Sequence, residues 1–301
     1  MLADAARLHI AIQKSGRLSD ESRTLLRDAG LRIQNGKNEL TARVENFPAD
    51  LMFVRDDDIP TFVADGVCEL GIVGGNVLRE FELGQKEQNG ADARCETVGQ
   101  LGFGRCTLKL AAPEAATWQG AASLEGSRIA TSYPNIVQRF LDERQITASV
   151  VKMNGAVELA PRLQIAPFIC DLVSTGATLE ANGLKAVETV FESEAVLIRT
   201  RRPVAEPKQE QVAGLLSRID GVLATKESKY IMLNAPGEAL RDITAILPGA
   251  EAPTILPLHG RAGHFAVHAV CQESVFWETL QKLKAAGASA ILVLPIEKMM
   301  L

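Results

Sequence analysis

Two short segments carry the residue types that grip phosphate. The first is Asp171-Leu172-Val173-Ser174-Thr175-Gly176-Ala177-Thr178-Leu179. It follows the apolar run 169–173 and leads into Glu180-Ala181. A strand running into a helix start supplies converging backbone N–H groups and the positive end of a helix dipole. Ser174, Thr175 and Thr178 add three hydroxyl donors, and Gly176 and Ala177 leave room for a phosphate to approach. Asp171 stands where it could orient ribose hydroxyls or a magnesium ion. An ordinary capped turn fits the same composition, because hydroxyl residues favour helix starts for their own sake.

The second segment is Gln13-Lys14-Ser15-Gly16-Arg17, two cations around a small turn after the apolar run 8–12. Arg55 follows another apolar run, 51–54, and could clamp a phosphate with two parallel hydrogen bonds. Open α/β sheets bind ligands at the carboxyl ends of their strands, which is where both would fall. The bland alternatives are a solvated basic turn and an arginine neutralised by Asp56, Asp57 and Asp58. That acidic run reads as a helix start rather than as a magnesium site. A GxxxxGK[ST] loop does not occur, which disfavours an NTP-hydrolysing P-loop fold. The four histidines are scattered, with no nucleophile beside them, so covalent catalysis has no support.

The elements that must position these residues alternate in type. Residues 8–12, 51–54 and 70–74 read as strands. Helices are expected after Ser19-Asp20-Glu21 as a start signal, after Asp58 with Pro60 in the first turn, and over 77–83. Residues 84–95 are polar and are expected to form a surface loop. Strands at 107–112, 128–131, 149–153 and 169–173 with a helix over 136–143 make a second α/β unit. Gly99 to Gly104 is expected to be a glycine-rich connection, and 200–207 a linker or hairpin tip. From Lys229 the order is β-α-β-β-α-β, the ferredoxin-like order. Such alternation implies mostly parallel sheets in the first part.

Bulk properties narrow the class. With 301 residues, the chain exceeds what one core comfortably serves, so several domains are expected. A net charge of −5 argues against nucleic acid or an anionic membrane as partner. Five widely spaced cysteines without a CxxC pair argue against a disulfide framework or a zinc site. The start MLADAARLHIAI has no basic segment ahead of a long apolar run, so no secretory leader is expected and a cytoplasmic location is. No run approaches the ~18 apolar residues of a membrane span.

Taken together, IAIQKSGRLSDES, VRDDDIP, ELGIVGGNVL, RIATSYPN, ELAPR, ICDLVSTGATLEANGL, SKYIMLNAP, PGAEAPTILPL and ILVLPIEKMM resemble one family: ATP phosphoribosyltransferase in its long form. The resemblance implies a glycosyltransferase of histidine biosynthesis that joins N1 of ATP to C1 of phosphoribosyl pyrophosphate and is inhibited by histidine. It implies Mg2+ held mainly by the pyrophosphate, and a homo-oligomer from dimer to hexamer. The implied fold is α/β: two lobes like those of periplasmic binding proteins, then a ferredoxin-like regulatory domain. The expected boundaries are 1–95 with 183–225 for the first lobe, 96–182 for the second and 226–301 for the regulatory domain.

The resemblance also suggests roles. Lys14, Arg17, Glu158 and Asp171 are matched to catalytic positions. Gln13, Arg55, Asp171, Ser174, Thr175, Gly176, Ala177 and Thr178 are matched to substrate positions, and Asn234, Thr254, Val270 and Ala290 to the effector site. The loop departs from many phosphoribosyltransferases in having one acidic residue where they have a pair. Ala166-Pro167-Phe168 stands where the family usually has an acidic residue before the strand. The rival class is a two-lobed solute sensor, which would need a secretion signal or a DNA-binding segment.

Overall fold

The computed structural model describes residues 7–34, 40–89, 94–173, 176–226, 228–247, 252–272 and 277–299. The chain divides into two compact units, Met1–Arg27 with Leu31–Val212, and Ala213–Leu301 with Asp28–Gly30.

The first unit opens with β1 (Leu8–Gln13), α1 (Arg17–Asp28), β2 (Thr41–Arg43), β3 (Ala49–Val54), α2 (Ile59–Ala64), β4 (Leu70–Gly74), α3 (Gly75–Asn89) and β5 (Cys95–Gln100). It continues through β6 (Cys106–Pro113), β7 (Arg128–Thr131), α4 (Pro134–Glu143), β8 (Ser149–Lys152), β9 (Phe168–Val173), α5 (Ala177–Ala181) and β10 (Leu184–Ser193). Then come β11 (Ala195–Thr200) and α6 (Glu206–Lys226), which runs on into the second unit.

These strands form two sheets, hence two lobes. The first has the order β2-β3-β1-β4-β11-β5 and the second β10-β6-β9-β7-β8. β1 lies parallel between β3 and β4, and β7 lies parallel between β8 and β9. β1 and β4 are apolar because they lie in the sheet interior, and Leu8, Ile10, Ile12, Leu70 and Ile72 are fully buried there. The chain crosses between lobes twice, through residues 101–105 and at Glu194. The glycine-rich stretch expected as a connection thus contributes Gly99 and Gln100 to β5, and its remainder makes the first crossing.

The lobe boundaries differ from those expected. Residues 184–193, expected in the first lobe, belong to the second, because β10 pairs with β6 from Leu184↔Pro113 to Ser193↔Cys106. β5 likewise belongs to the first sheet, through its pairing with β11. Pairing partners are set by tertiary docking, which a strand's own sequence does not encode. Two local expectations also fail. α1 begins at Arg17, so Ser19 is not its cap; Ser19 and Ser22 are buried on its inner face. Residues 84–89 continue α3 instead of looping out, in keeping with the helix-favouring Gln85, Lys86, Glu87 and Gln88.

The second unit contains β12 (Ser228–Pro236), α7 (Leu240–Ile246), β13 (Thr254–Pro257), β14 (His264–Gln272), α8 (Trp277–Ala285) and β15 (Ser289–Pro295). Its antiparallel sheet has the order β13-β14-β12-β15, the ferredoxin-like arrangement. Ile231, Leu233, Ala235, Val267, Ala269 and Cys271 pack with Ile243 and Leu283 of the two helices. The alternate residues Tyr230, Met232, Asn234, Ala266, His268 and Val270 lie on the other face.

Candidate active site

The carboxyl ends of β3 in the first lobe and of β7 and β8 in the second line one cavity, whereas Lys14, Arg17, Glu158 and Asp171 are not among its lining residues. From the first lobe, β1 ends at Gln13 and β3 at Val54, and the Lys14 N–H donates to the Val54 carbonyl at 2.9 Å. That bond sets Lys14 beside Arg55. Gly16 has φ 96°, a left-handed turn that lets α1 begin at Arg17 at once. Lys14 and Arg55 are exposed, as free phosphate ligands must be. Arg17 is also exposed; its guanidinium lies 3.9 Å from Glu21 and 3.5 Å from the Arg105 carbonyl of the crossing segment.

From the second lobe, Asp171 lies on β9, opposite Lys109 of β6. Its carboxylate accepts the Leu172 N–H at 2.8 Å. Burial raises the Asp171 pKa, the Leu172 hydrogen bond opposes this, and the nearby Glu158 charge adds to the rise. The two carboxylates therefore share one neighbourhood. Glu158 sits in a 3-10 turn, Val157–Leu159, entered through Ala156 at φ 50°. Non-glycine residues seldom adopt that conformation, and it often marks functional sites. Gly176 caps α5 at φ 83°, and Ala177 and Thr178 open that helix, both exposed. Ser174 and Thr175 lie outside the described residues.

A cavity of about 650 Å³ opens between the lobes. Arg55 and Asp57 contribute from the first lobe, with Glu80 of α3. Tyr133, Asn135 and Lys152 contribute from the second. Its size suits a nucleotide-scale ligand. Tyr133 feels the charges of Asp57, Asp56 and Asp171, which places the acidic groups of both lobes around it. Asp56 has its pKa pushed up to about 6, first by burial, then by Asp57, against a backbone hydrogen bond from Gly74. Its Oδ1 is buried without a hydrogen-bond partner among the described residues.

Sequence reasoning did not single out Ser132, Tyr133, Asn135, Lys152 or Asn154 of this cavity. A signal existed for Lys152 and Ser132, because both stand at carboxyl ends of strands, the rule that picked Lys14 and Arg55. Among the described residues, no group of three or more His, Cys, Asp or Glu could hold a metal ion. Asp171 and Glu158 are hard oxygen donors of the kind magnesium accepts.

In the second unit, Asn234, Thr254 and Val270 share the sheet face opposite the helices, since Thr254 pairs with His268, Asn234 with Ala266 and Val270 with Tyr230. Ala290 lies in the irregular stretch of β15 beside Asn234, at φ 48°. None of the four belongs to the core cluster of that unit.

Two α/β sheets with a cavity between them, lined by charged and polar groups of both, define a two-lobed α/β protein. Two family models match the chain: HisG, ATP phosphoribosyltransferase, over residues 55–221, and the HisG C-terminal domain over residues 225–298. The chain belongs to the ATP phosphoribosyltransferase family, glycosyl-transferring enzymes of histidine biosynthesis. Among solved structures, it is similar to a chain of the ATP phosphoribosyl transferase (HisG:HisZ) complex from Thermotoga maritima, at 26% identity and TM-score 0.58. The match covers 72% of this chain and 98% of that one. It is also similar to the alkanesulfonate-binding protein SsuA from Xanthomonas axonopodis pv. citri, at 18% identity and TM-score 0.45, over 73% and 75% of the two chains. The two-sheet, two-crossing architecture is the one expected from the sequence. Among the described residues, no helix is long and apolar enough to cross a membrane.

Proposed function

We propose that the protein transfers the phosphoribosyl group of phosphoribosyl pyrophosphate to N1 of ATP, releasing pyrophosphate, and that histidine bound to the second unit inhibits it. The observation that supports the reading is the cavity between the lobes, lined by Arg55 and Asp57 from one lobe and Tyr133, Asn135 and Lys152 from the other, with Asp171 close enough to Tyr133 to act on it.

The bond that forms joins adenine N1 to C1 of the ribose. The bond that breaks joins C1 to pyrophosphate, which leaves with the electron pair. Positive charge develops on the sugar and negative charge on the leaving group. Lys14, Arg17 and Arg55 offset the latter, in a cleft where fixed charges act more strongly than in water. Asp171 and Glu158 accept hydrogen bonds from the ribose hydroxyls and so hold C1 in line with N1. The residues 174–178 and the first amides of α5 hold the 5′-phosphate. Adenine N1 is already a nucleophile, so no residue need activate it. Magnesium, carried mainly by the pyrophosphate, supplies further neutralisation of the leaving group.

Asn234, Thr254, Val270 and Ala290 form the histidine-binding region in this reading. The protein works in the cytoplasm as a homo-oligomer, from dimer to hexamer. The test mixes the protein with ATP, phosphoribosyl pyrophosphate and magnesium, and follows product by ultraviolet absorbance. Product whose formation histidine suppresses supports the reading. Ligand binding without product would favour a solute sensor.

A further inference from the structure

The helix α4 has an N-terminus that its own sequence does not cap. Tyr133 occupies the cap position and makes no side-chain capping bond, and no acidic residue lies in the first turn. Helix starts leave N–H groups without partners. Here Pro134 has none to offer, and the Val137 N–H reaches the Tyr133 carbonyl at 3.1 Å. The remaining two belong to Asn135 and Ile136. Both donate to one carboxylate, that of Glu80, at 2.9 Å to Oε1 and 2.9 Å to Oε2.

Glu80 does not belong to this lobe. It lies on α3 of the first lobe, and its backbone carbonyl also accepts the Asn135 side-chain amide at 3.1 Å. The contact extends along α3. One turn before Glu80, the Asn76 Nδ2 donates to the Tyr133 hydroxyl at 2.9 Å, and the Asn76 N–H donates to Ser193 Oγ at 2.8 Å, next to the second crossing. One turn after it, Gly84 lets Asn135 come close, since a Cβ there would lie 2.8 Å from Asn135 Nδ2. From Asn76 to Gly84, about 12 Å of helix follows the other lobe. α3 is also one wall of the ~650 Å³ cavity, and the α4 start is another.

We infer that Glu80 is a positioning residue that pins the two lobes together along α3 and so holds the substrate cleft in its binding geometry. To the crossings and the Asn76 and Asn135 hydrogen bonds, the bidentate carboxylate on two amides adds a tie that is charge-assisted and aligned with the helix dipole. It also occupies the Asn135 and Ile136 amides at the α4 N-terminus.

The functional part of this inference rests on the phosphoribosyl-transfer reading; the pin itself does not. With Glu80→Ala, the fraction of molecules in the binding geometry falls, and apparent affinity falls with it. The expected result is a rise in KM for both substrates of about tenfold, with kcat kept within about twofold. The vacated amides can then take a small carboxylate from solution. Acetate should restore KM in Glu80→Ala and leave the wild type unchanged, an effect that loss of packing would not produce. Hydrogen exchange gives a readout free of activity, because the Asn135 and Ile136 amides should lose protection in the variant and regain it with acetate. Unchanged protection overturns the pin. Lost protection with unchanged KM overturns its role in binding. A KM rise that acetate does not reverse, in a variant that melts like wild type, overturns it as well. If the wild type makes no product, the reaction assignment fails, and amide exchange still decides whether the pin exists.

Discussion

Replacing Lys14 with Ala gives the most direct examination of the cleft. Lys14 is exposed, and its place is fixed by its backbone, through the 2.9 Å bond to Val54. Among the described residues, its ammonium forms no ion pair with a carboxylate. Truncation therefore removes little that stabilises the fold, and the expected change is within about 0.5 kcal/mol. A hydrogen bond to a charged group contributes about 1.5–3 kcal/mol, which as lost transition-state stabilisation lowers kcat/KM by about 10- to 150-fold. Lys14→Arg keeps the charge and should fall between wild type and Ala. Initial rates with each substrate varied in turn, together with thermal melts, measure both quantities. The deficit should shrink as salt screens the site. Wild-type kcat/KM in Lys14→Ala would refute the role given to this cation.

Other expectations follow from the same geometry. Asp171→Asn should lower kcat/KM by about a hundredfold or more by weakening ribose positioning, without lowering the melting temperature, since a carboxylate whose charge is already disfavoured by burial is replaced by a neutral isostere. Asp56 has a folded pKa near 6 against an ordinary 3.8, so the native state holds its proton where the unfolded chain has released it. Stability should therefore fall as pH rises through roughly 4 to 6, and Asp56→Asn should flatten that slope in melts across the window. Lys208→Met leaves Glu69, 7% exposed, without the ion pair it makes at 2.5 Å, and should cost about 3–5 kcal/mol in denaturant unfolding. A loss under 1 kcal/mol would contradict that burial argument. Asn234→Ala should raise the histidine concentration for half inhibition by about tenfold, measured against the variant's own uninhibited rate; no change would remove Asn234 from the effector site.

Much of this molecule is legible along the chain. The runs at 8–12, 51–54 and 70–74 become β1, β3 and β4 because continuous apolar residues between turn signals suit a strand buried on both faces. The C-terminal β-α-β-β-α-β order is equally plain, since each element there is short and bounded by turn residues. Lys14 and Arg55 are singled out as candidates by a rule that needs only strand ends, whereas Asp171, read with the turn that follows its strand, lies inside β9. What the sequence leaves open are relations between distant segments. β10 pairs with β6 about 80 residues earlier, and nothing in LKAVETVFES names that partner. Residues 84–89 read as a loop because polar residues suit either state; α3 continues through them as it runs on alongside α4. Glu80 looks like any surface acid on a helix, and only the docking of two lobes turns it into the cap of α4. Local chemistry determines which residues can bind phosphate and where strands and helices form, because those depend on neighbours in sequence. The cleft, its paired carboxylates and its pin arise from contacts across long stretches of chain, which tertiary packing alone decides.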